Sequence, residues 1–378
     1  MTFPQLGPED LWFLGVTFSL WLIMAWYYLR WFTASGSRKR LKLEEQRPAV
    51  KSPVSVIVCA HNELDNLKKN LPLILAQEYP DFELIVVDDG SWDGSAEFLR
   101  SLKAEYAALK VCTVDRDRVR NPGKKLALTI GIKAAAHDLL LFTDADCVPN
   151  TPHWLSRAAA GFASGNALVL GFSPYLKHPG FLNLFIRFET LITGMQYLSM
   201  ALHGKAYMGV GRNMAYRKDL FFKVKGFASH HHLPAGDDDL FVQDAADLKN
   251  TAVIMHPETH VMSEPKLRLK DWWKQKKRHL FVGKHYKPSV KRFLGLLSFS
   301  QLAFYLTLIG WFIWTAYWWL PLTIYALWLL LRIVVVARTA SQLQQIQIMW
   351  AYPLLDICYV FFLSIAGLNA WFAKRIQW

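Results

Sequence analysis

The feature that most constrains this chain is a run of 38 residues, from position 294 to position 331, without a charged side chain. One helix of that length would be about 57 Å long, which is more than one bilayer crossing needs. Trp318, Trp319 and Pro321 lie near the middle of the run and favour a turn at a membrane interface. The apolar C-terminal region therefore predicts three membrane spans, at roughly residues 297–318, 321–338 and 349–372.

A further span is predicted near the N-terminus, where residues 11–29 have no charge and are rich in Trp, Leu and Phe. Glu9 and Asp10 precede this segment, which argues against a cleaved signal peptide, because such peptides begin with basic residues. Basic residues follow it, at Arg30 and within residues 38–42. The positive-inside rule then predicts an outside N-terminus and a cytoplasmic chain from residue 38 onward.

These patterns predict a multi-pass protein of the inner membrane of a bacterium, with its catalytic domain in the cytoplasm. The expected domains are an N-terminal transmembrane helix (1–35), a soluble domain (50–293) and a C-terminal membrane region of about three helices (294–378). Asp356 falls inside the last span. It is either a functional group, or an acid near a helix end or facing a polar cavity.

The soluble domain has a different pattern, in which short apolar, β-branched runs alternate with helix-like stretches. The predicted strands are at residues 54–58, 83–87 and 139–142, and the helix-like stretches include 63–77 and 95–108. This alternation predicts an α/β domain with a mostly parallel, buried sheet. Ligands of such sheets bind beyond the carboxyl ends of the strands. Polar and acidic residues follow all three predicted strands, at 59–63, 88–95 and 143–146.

Three of the polar segments suggest chemistry. Asp144 and Asp146 form a D-x-D after a strand, and such carboxylates can hold a hard divalent cation while phosphates and water complete the coordination. Residues 121–125 (NPGKK) suit a phosphate-binding turn with Lys124, or else an ordinary helix start. Residues 236–239 (GDDD) suit a general base, because mutual repulsion raises a carboxyl pKa, or else a solvated loop.

Taken in order, the motifs resemble the family 2 glycosyltransferases with the GT-A fold, over residues 53 to about 279. The residues similar to the family pattern are VSVIVCAHNE (54–63), VDDGSWDGS (87–95), GK (123–124), DAD (144–146), GRNMAYR (211–217), GDD (236–238) and QKKRH (275–279). Two positions depart from the pattern. Asp237 stands where the family has Glu, and His279 stands where its QxxRW motif has Trp, which makes the aromatic platform smaller and titratable.

On the donor side, the resemblance implies a GT-A, Rossmann-like domain that binds a nucleotide-sugar, most simply a UDP-sugar. Asp88 or Asp89 would bind the base, with Asn62 and Glu63 nearby. Lys124 would assist nucleotide or phosphate binding. Two residues would hold Mg²⁺ or Mn²⁺ on the diphosphate: Asp144 and Asp146.

On the acceptor side, the resemblance implies an inverting transfer. Asp238 would take the proton from an acceptor hydroxyl, with Asp237 or Asp239 as less favoured bases. Gln275 and Arg278 would lie by the diphosphate and the acceptor.

The identity of the acceptor stays open. A lipid acceptor, as in ceramide glucosyltransferase, is slightly favoured, because four spans are few to enclose the polymer channel of a processive synthase of cellulose, hyaluronan or chitin. A catalytically idle nucleotide-binding scaffold is the alternative from another class. Residues 181–202 predict a helix, which lies either on the membrane near the acceptor or in the core of the soluble domain.

The net charge of +13 is concentrated in one place. Residues 264–293 contain 11 Lys and Arg against Glu264 and Asp271, and they precede the second apolar block directly. Such a basic segment predicts contact with the anionic leaflet of a membrane. No nucleic-acid-binding motif accompanies the charge, so we do not expect a nucleic-acid partner.

Overall fold

The computed structural model describes residues 6–118, 123–247 and 249–373. Asn121 and Pro122 of the predicted phosphate turn lie outside the described residues, as do residues 374–378 of the predicted C-terminal region. The strands are β1 Val54–Ala60, β2 Phe82–Asp88, β3 Leu109–Thr113, β4 Leu139–Asp144, β5 Cys147–Pro149, β6 Leu168–Gly171, β7 Met214–Arg217, β8 Thr251–Ile254 and β9 Val261–Ser263. The helices are α1 Pro8–Arg30, α2 Arg38–Glu45, α3 Leu64–Leu75, α4 Ser95–Glu105, α5 Lys124–Ala134, α6 Trp154–Ala159, α7 Phe181–Leu202, α8 Lys218–Lys223, α9 Asp239–Ala245, α10 Leu269–Val282, α11 Pro288–Trp314, α12 Trp319–Gln342 and α13 Tyr352–Phe372.

Seven strands form one mixed sheet in the order β3-β2-β1-β4-β7-β6-β8. Strands β3, β2, β1 and β4 are parallel, and β6 is parallel to β8, whereas β7 is antiparallel to both of its neighbours. A separate antiparallel pair joins β5 to β9. The predicted α/β fold with a mostly parallel sheet and additional apolar helices is therefore confirmed.

The central strands are buried on both faces, which explains their continuous apolar sequences. Val56 and Val58 belong to the hydrophobic cluster that includes Leu67 of α3, whereas Ile57 belongs to the cluster on the opposite face. Helix α5 packs closely on that second face at Gly131. A Cβ atom there would lie 2.8 Å from Cγ2 of Ile57, so the helix can approach the sheet this closely only with glycine.

Among the described residues, four helices are long and apolar enough to cross a membrane: α1, α11, α12 and the helical stretch Ile346–Phe372 that ends with α13. The second apolar block turns at residues 315–318, close to the predicted position. Helices α11 and α12 both begin before the spans predicted for them. Helix α11 begins at Pro288, well before residue 297, and Pro321 lies in the first turn of α12, where a proline is tolerated because the N–H it lacks has no helical partner there.

Helix α7 connects the sheet domain to the apolar helices. Most of its side chains are buried, and it packs against β8 on one side and against α12 and α13 on the other. The core-helix interpretation of residues 181–202 is therefore correct and the membrane-surface interpretation is wrong. The contact is also polar: the Ser199 hydroxyl donates to the Ser35 hydroxyl, which lies 2.9 Å from that of Thr339 in α12.

Asp356 lies in the second turn of α13 and is fully buried among the apolar helices. It forms an ion pair with Arg332 of α12 at 2.5 Å, and it accepts a hydrogen bond from the hydroxyl of Tyr305 in α11 at 2.5 Å. The guanidinium of Arg332 also lies over the ring of Tyr28 in α1, 4.9 Å from its centroid. One ion pair thus connects all four apolar helices.

Candidate active site

The acidic clusters that follow the central strands lie side by side. In the parallel register, Cys59 of β1 pairs with Asp144 at the end of β4, and Ala60 pairs with Asp88 at the end of β2. The carboxyl ends of three neighbouring strands therefore form one edge of the sheet, as the sequence pattern predicted. Ligands of open α/β sheets bind at this edge.

Hydrogen bonds fix the loop after β1 to the loop after β2. The backbone N–H of Asn62 donates to Oγ of Ser91 at 2.9 Å, and Oδ1 of Asn62 accepts from the N–H of Trp92 at 3.0 Å. Asn62 has φ +57°, a left-handed conformation that asparagine tolerates better than most residues. Oδ1 of Asp88 accepts from the N–H of Ser91 at 3.1 Å. Asn62 and Asp88 thus face the same ordered loop.

The two other acids predicted near the base have partners of their own. Asp89 is buried, and its Oδ2 lies 2.7 Å from a guanidinium nitrogen of Arg116. Glu63 accepts a hydrogen bond from Asn66 at 2.5 Å. Partial burial, and then the charges of Asp146 and Asp144, raise the pKa of Glu63 above its ordinary value. The charge of Glu63 thus interacts with those of the D-x-D.

Lys124 connects the D-x-D with the acidic triplet. Its Nζ lies 2.8 Å from Oδ1 of Asp144 and 3.5 Å from Oδ2 of Asp237. Burial favours the neutral form of Asp144, but the ammonium of Lys124 outweighs it and holds the pKa of Asp144 below its usual value. The tertiary structure thus joins two motifs that are far apart in the sequence.

The D-x-D offers the ligands that a hard divalent cation prefers. Ligand atoms of Asp144, Asp146 and Cys147 all lie within 4.8 Å of one another. Burial, followed by the charges of Asp146 and Asp144, raises the pKa of Cys147 well above its ordinary value, so its thiol stays protonated and donates to Oδ1 of Asp146 at 3.2 Å. The carboxylates of Asp144 and Asp146 are therefore the two groups here that could hold Mg²⁺ or Mn²⁺, with oxygen atoms of a substrate or water as further ligands.

The three acids of residues 237–239 occupy different environments. Asp238 caps helix α9, because its Oδ1 accepts from the N–H of Asp239 at 2.8 Å, and its Oδ2 accepts from the N–H of Gly211 at 3.3 Å. Asp239 is buried and accepts a hydrogen bond from the hydroxyl of Tyr286 at 2.5 Å. Asp237 is buried beside Lys124. Asp238 is thus the most accessible of the three acids.

Electrostatics also separate these acids. Burial, and then repulsion by Asp237, raise the pKa of Asp238 to about 6, which is close to the working range of a general base at neutral pH. Burial and the charge of Asp238 raise the pKa of Asp239 well above its ordinary value. Asp239 is also buried and bonded to Tyr286, so it is less suited than Asp238 to accept a proton from a substrate.

Helix α10 brings the QKKRH segment to the same cleft. Nε2 of Gln275 donates to the hydroxyl of Tyr175 at 3.4 Å, and the charge of Arg278 is among those that lower the pKa of Asp144. The side chain of His279 is exposed at the edge of the cleft, where desolvation and then repulsion by Lys276 and Arg278 lower the pKa of its imidazole. His279 is therefore neutral at pH 7 and presents an uncharged ring.

Residues 55–224 match the family described as Glycosyl transferase family 2. The match covers less than half of the chain, and the matched stretch is here called the family 2 domain after it. It contains β1 to β7 and the D-x-D, whereas the Asp238 loop and α10 lie beyond the matched residues.

Two curated proteins illustrate the similarity of this chain to known sequences. Glycosyltransferase AglE of Haloferax volcanii is 28% identical over 205 residues, which are 54% of this chain and 64% of AglE. A poly-beta-1,6-N-acetyl-D-glucosamine synthase of Staphylococcus epidermidis is 30% identical over 128 residues, 34% of this chain and 29% of the synthase. The chain thus matches less than two thirds of either relative.

The structure of the mannosyltransferase PcManGT from Pyrobaculum calidifontis, in complex with GDP-Man and Mn²⁺, is similar in fold. It superposes with a TM-score of 0.56 and 18% sequence identity, and the match covers 97% of this chain and 98% of PcManGT. The likeness therefore includes the apolar helices as well as the family 2 domain.

Arg212 is a further charged residue of the cleft, and its motif alone did not predict a role for it. Its Nε donates to Oγ of Ser173 at 2.6 Å, and its guanidinium lies over the ring of Tyr175, 4.7 Å from the centroid. Its charge is among those that lower the pKa of Asp144, so it contributes to the electrostatics of the D-x-D. The available signal was its position beside Gly211 in the GRNMAYR motif.

The structure also distinguishes the members of the basic segment. Lys276 forms an ion pair with Glu189 of α7 at 2.5 Å and is largely buried. The exposed members are Lys266, Arg268, Lys270, Lys274, Lys287, Lys291 and Arg292. These cations are therefore exposed, although Lys287 also donates to the backbone carbonyl of Gln243 and Lys291 to that of Lys284.

Proposed function

We propose that this protein is a membrane-bound, inverting glycosyltransferase that moves a sugar from a nucleotide-sugar to a hydroxyl of a membrane lipid. The observation that carries the proposal is the contact of Lys124 with both Asp144 and Asp237. Through this contact, two carboxylates suited to a divalent cation lie beside an acidic loop that contains a carboxyl group with a pKa of about 6. Metal and base are the two functions that such a transfer requires.

The donor would bind at the carboxyl edge of the sheet. Asp88 and Asn62 would contact the base, with Asp89 and Glu63 beside them. The cations that would neutralise the diphosphate are Lys124, Arg212 and Arg278. A bound Mg²⁺ or Mn²⁺ would stabilise the negative charge of the leaving diphosphate. The GDP-Man and Mn²⁺ bound by PcManGT support a nucleotide-sugar and a divalent metal, so both UDP-sugars and GDP-sugars belong in a donor screen.

The acceptor hydroxyl would lose its proton to Asp238 as its oxygen attacks the anomeric carbon. The new bond forms on the face opposite the diphosphate, and the bonding electrons of the breaking C–O bond leave with the diphosphate. This order inverts the configuration at the anomeric carbon. Asp237 would remain paired with Lys124, and Gln275 would orient groups beside the acceptor.

A membrane lipid is the acceptor that we favour, because helix α10 packs directly against the apolar helix α13. Trp272 of α10 stacks on Phe362 of α13, with ring centroids 4.5 Å apart. The acceptor side of the cleft therefore lies next to the predicted membrane region. In this arrangement the family 2 domain is cytoplasmic, and the exposed cations of the basic segment face the anionic leaflet.

A processive polysaccharide synthase is the second candidate, and the similarity to the poly-beta-1,6-N-acetyl-D-glucosamine synthase favours it. A donor screen in native membranes with Mn²⁺ would test both, because mass spectrometry separates a single added sugar from a ladder of products. We expect Asp146→Asn and Asp238→Asn to lower the rate of transfer strongly, for Asp238→Asn by roughly 10²–10⁴. Asp138→Asn, at the exposed opposite end of β4, is the matched control. Nucleotide binding without transfer to any product would indicate an idle scaffold instead.

A further inference from the structure

A polar cavity of about 200 Å³ lies where the family 2 domain meets the apolar helices. One wall is formed by Tyr175 and Lys177 in the segment after β6, and another by Arg187 of α7. His260, between β8 and β9, and Gln345, in the link between α12 and α13, complete it. The cavity is large enough for a small polar group with several waters, since one water occupies about 30 Å³.

The cavity has the electrostatics of an anion site. Arg187 and Lys177 are cations, and none of the described residues that line the cavity is Asp or Glu. Burial lowers the pKa of His260 to about 4, so its imidazole is neutral at pH 7. The lining therefore has a net positive charge that no neighbouring carboxylate in the lining neutralises.

Arg187 provides the second indication, because its hydrogen bonding is incomplete. The side chain is buried, with 5% exposure, and one terminal nitrogen donates to Oε1 of Gln345 at 2.9 Å. Its Nε is also buried and has no hydrogen-bond partner among the described residues. A buried guanidinium donor without an acceptor is costly, so the site lacks an acceptor that a bound anion would supply.

The position of the cavity indicates where the anion comes from. The link between α12 and α13 also contains Ile346 and Trp350, which are 50% and 78% exposed. An exposed tryptophan at the end of an apolar helix is typical of a membrane interface. The cavity thus lies at the level where phosphate groups of lipids are found.

We propose that this cavity binds a phosphate ester, with Arg187 as the buried guanidinium partner and Lys177 as the cation at its mouth. The shared chemistry is a phosphate group, which either the head of an anionic lipid or free phosphate supplies. The site is separate from the D-x-D. Tyr175 forms the wall between them, since its hydroxyl accepts from Gln275 and its ring lies under Arg212.

Ligand titrations on the purified full chain in detergent test this proposal. The probes are dioctanoyl phosphatidic acid, dioctanoyl phosphatidylcholine and inorganic phosphate, with binding measured calorimetrically. Arg187→Gln should weaken phosphatidic acid binding about tenfold, and Lys177→Gln about threefold. Lys103→Gln, on exposed α4, is the matched control for charge, and Lys124→Gln is the control for the donor site. Both should change the binding less than twofold.

Each outcome supports or overturns the proposal. Binding of phosphatidic acid alone assigns the site to a lipid head, and binding of inorganic phosphate as well assigns it to phosphate in general. Equal binding by the parent chain and by Lys177→Gln and Arg187→Gln overturns the proposal, as does an equal loss in Lys124→Gln. If Arg187→Gln does not fold, the charge reversal Lys177→Glu decides, because Lys177 is exposed. None of these results depends on whether the protein transfers a sugar.

Discussion

The ammonium of Lys124 lies 2.8 Å from the carboxylate of Asp144, the first acid of the D-x-D. A lysine in this position neutralises the carboxylate that we expect to ligate a divalent cation. Lys124 therefore provides positive charge next to Asp144 that a bound metal ion would otherwise provide.

Replacing Lys124 by Gln should destabilise the metal-free protein by about 1–3 kcal/mol, because Asp144 and Asp237 lose their counter-charge while remaining mostly shielded from water. Mn²⁺ should restore most of that loss. Thermal unfolding with EDTA and with Mn²⁺ measures both effects. Lys125→Gln is the control, since Lys125 bonds to the backbone carbonyls of His230 and Leu233 and not to the D-x-D. An equal loss with and without Mn²⁺ would contradict this interpretation.

The pH dependence of transfer should report Asp238. Its pKa of about 6 lies above the ordinary value of 3.8, because of burial and the neighbouring Asp237, and a base must be ionised to accept a proton. The value of kcat/KM should therefore rise about tenfold per pH unit below pH 6 and level off above it. Asp238→Asn should lower kcat by roughly 10²–10⁴ and remove the rise of kcat/KM between acidic pH and pH 6. If the variant still shows this rise, Asp238 is not the base.

The same shift predicts how Asp238 affects stability. A raised pKa in the folded state means that ionisation opposes folding, so the contribution of Asp238 to stability decreases as pH rises from about 4 to about 6. Asn can still cap α9. The free energy of unfolding of Asp238→Asn, relative to the parent, should therefore increase over this interval and stay constant above it. Denaturant unfolding at several pH values measures this difference, and a decrease would contradict the assigned shift.

Arg212 should contribute to donor binding through its charge and its shape. Arg212→Gln should raise the donor KM about tenfold, since a charge-assisted hydrogen bond to a phosphate is lost. Arg212→Lys should be intermediate, because it keeps the charge but loses the planar guanidinium that lies over Tyr175. Initial rates at saturating Mn²⁺ measure the effect. An unchanged donor KM in both variants would place Arg212 outside the donor site.

The ion pair between Arg332 and Asp356 should show strong coupling. Arg332→Met or Asp356→Leu alone should cost about 3–5 kcal/mol, because each leaves one buried charge without its partner. The double variant should recover much of that loss, since two apolar side chains suit the helix bundle. Thermal unfolding in detergent measures this cycle. Simple additivity of the two losses would show that the two charges are not coupled in the folded protein.

Local sequence patterns determined much of the fold. Three patterns can be recognised within short stretches of sequence: the β-branched runs, the polar segments that follow them and the uncharged apolar stretches. They are recognisable because burial in a parallel sheet or in lipid requires a continuous apolar run of characteristic length. For this reason the central strands, the acidic edge of the sheet and the four long apolar helices could be predicted. The boundaries of α11 and α12 could not, because charged residues near a span do not end a helix.

Only the tertiary structure decided which distant groups meet. It pairs Lys124 with Asp237, pairs Asp356 with Arg332, and buries α7 between the sheet and the apolar helices. It also gives different surroundings to the three neighbouring residues 237–239, which are all Asp in the sequence. Burial and charge at each position depend on side chains from other elements, so the different pKa values of these acids arise only once the chain has folded.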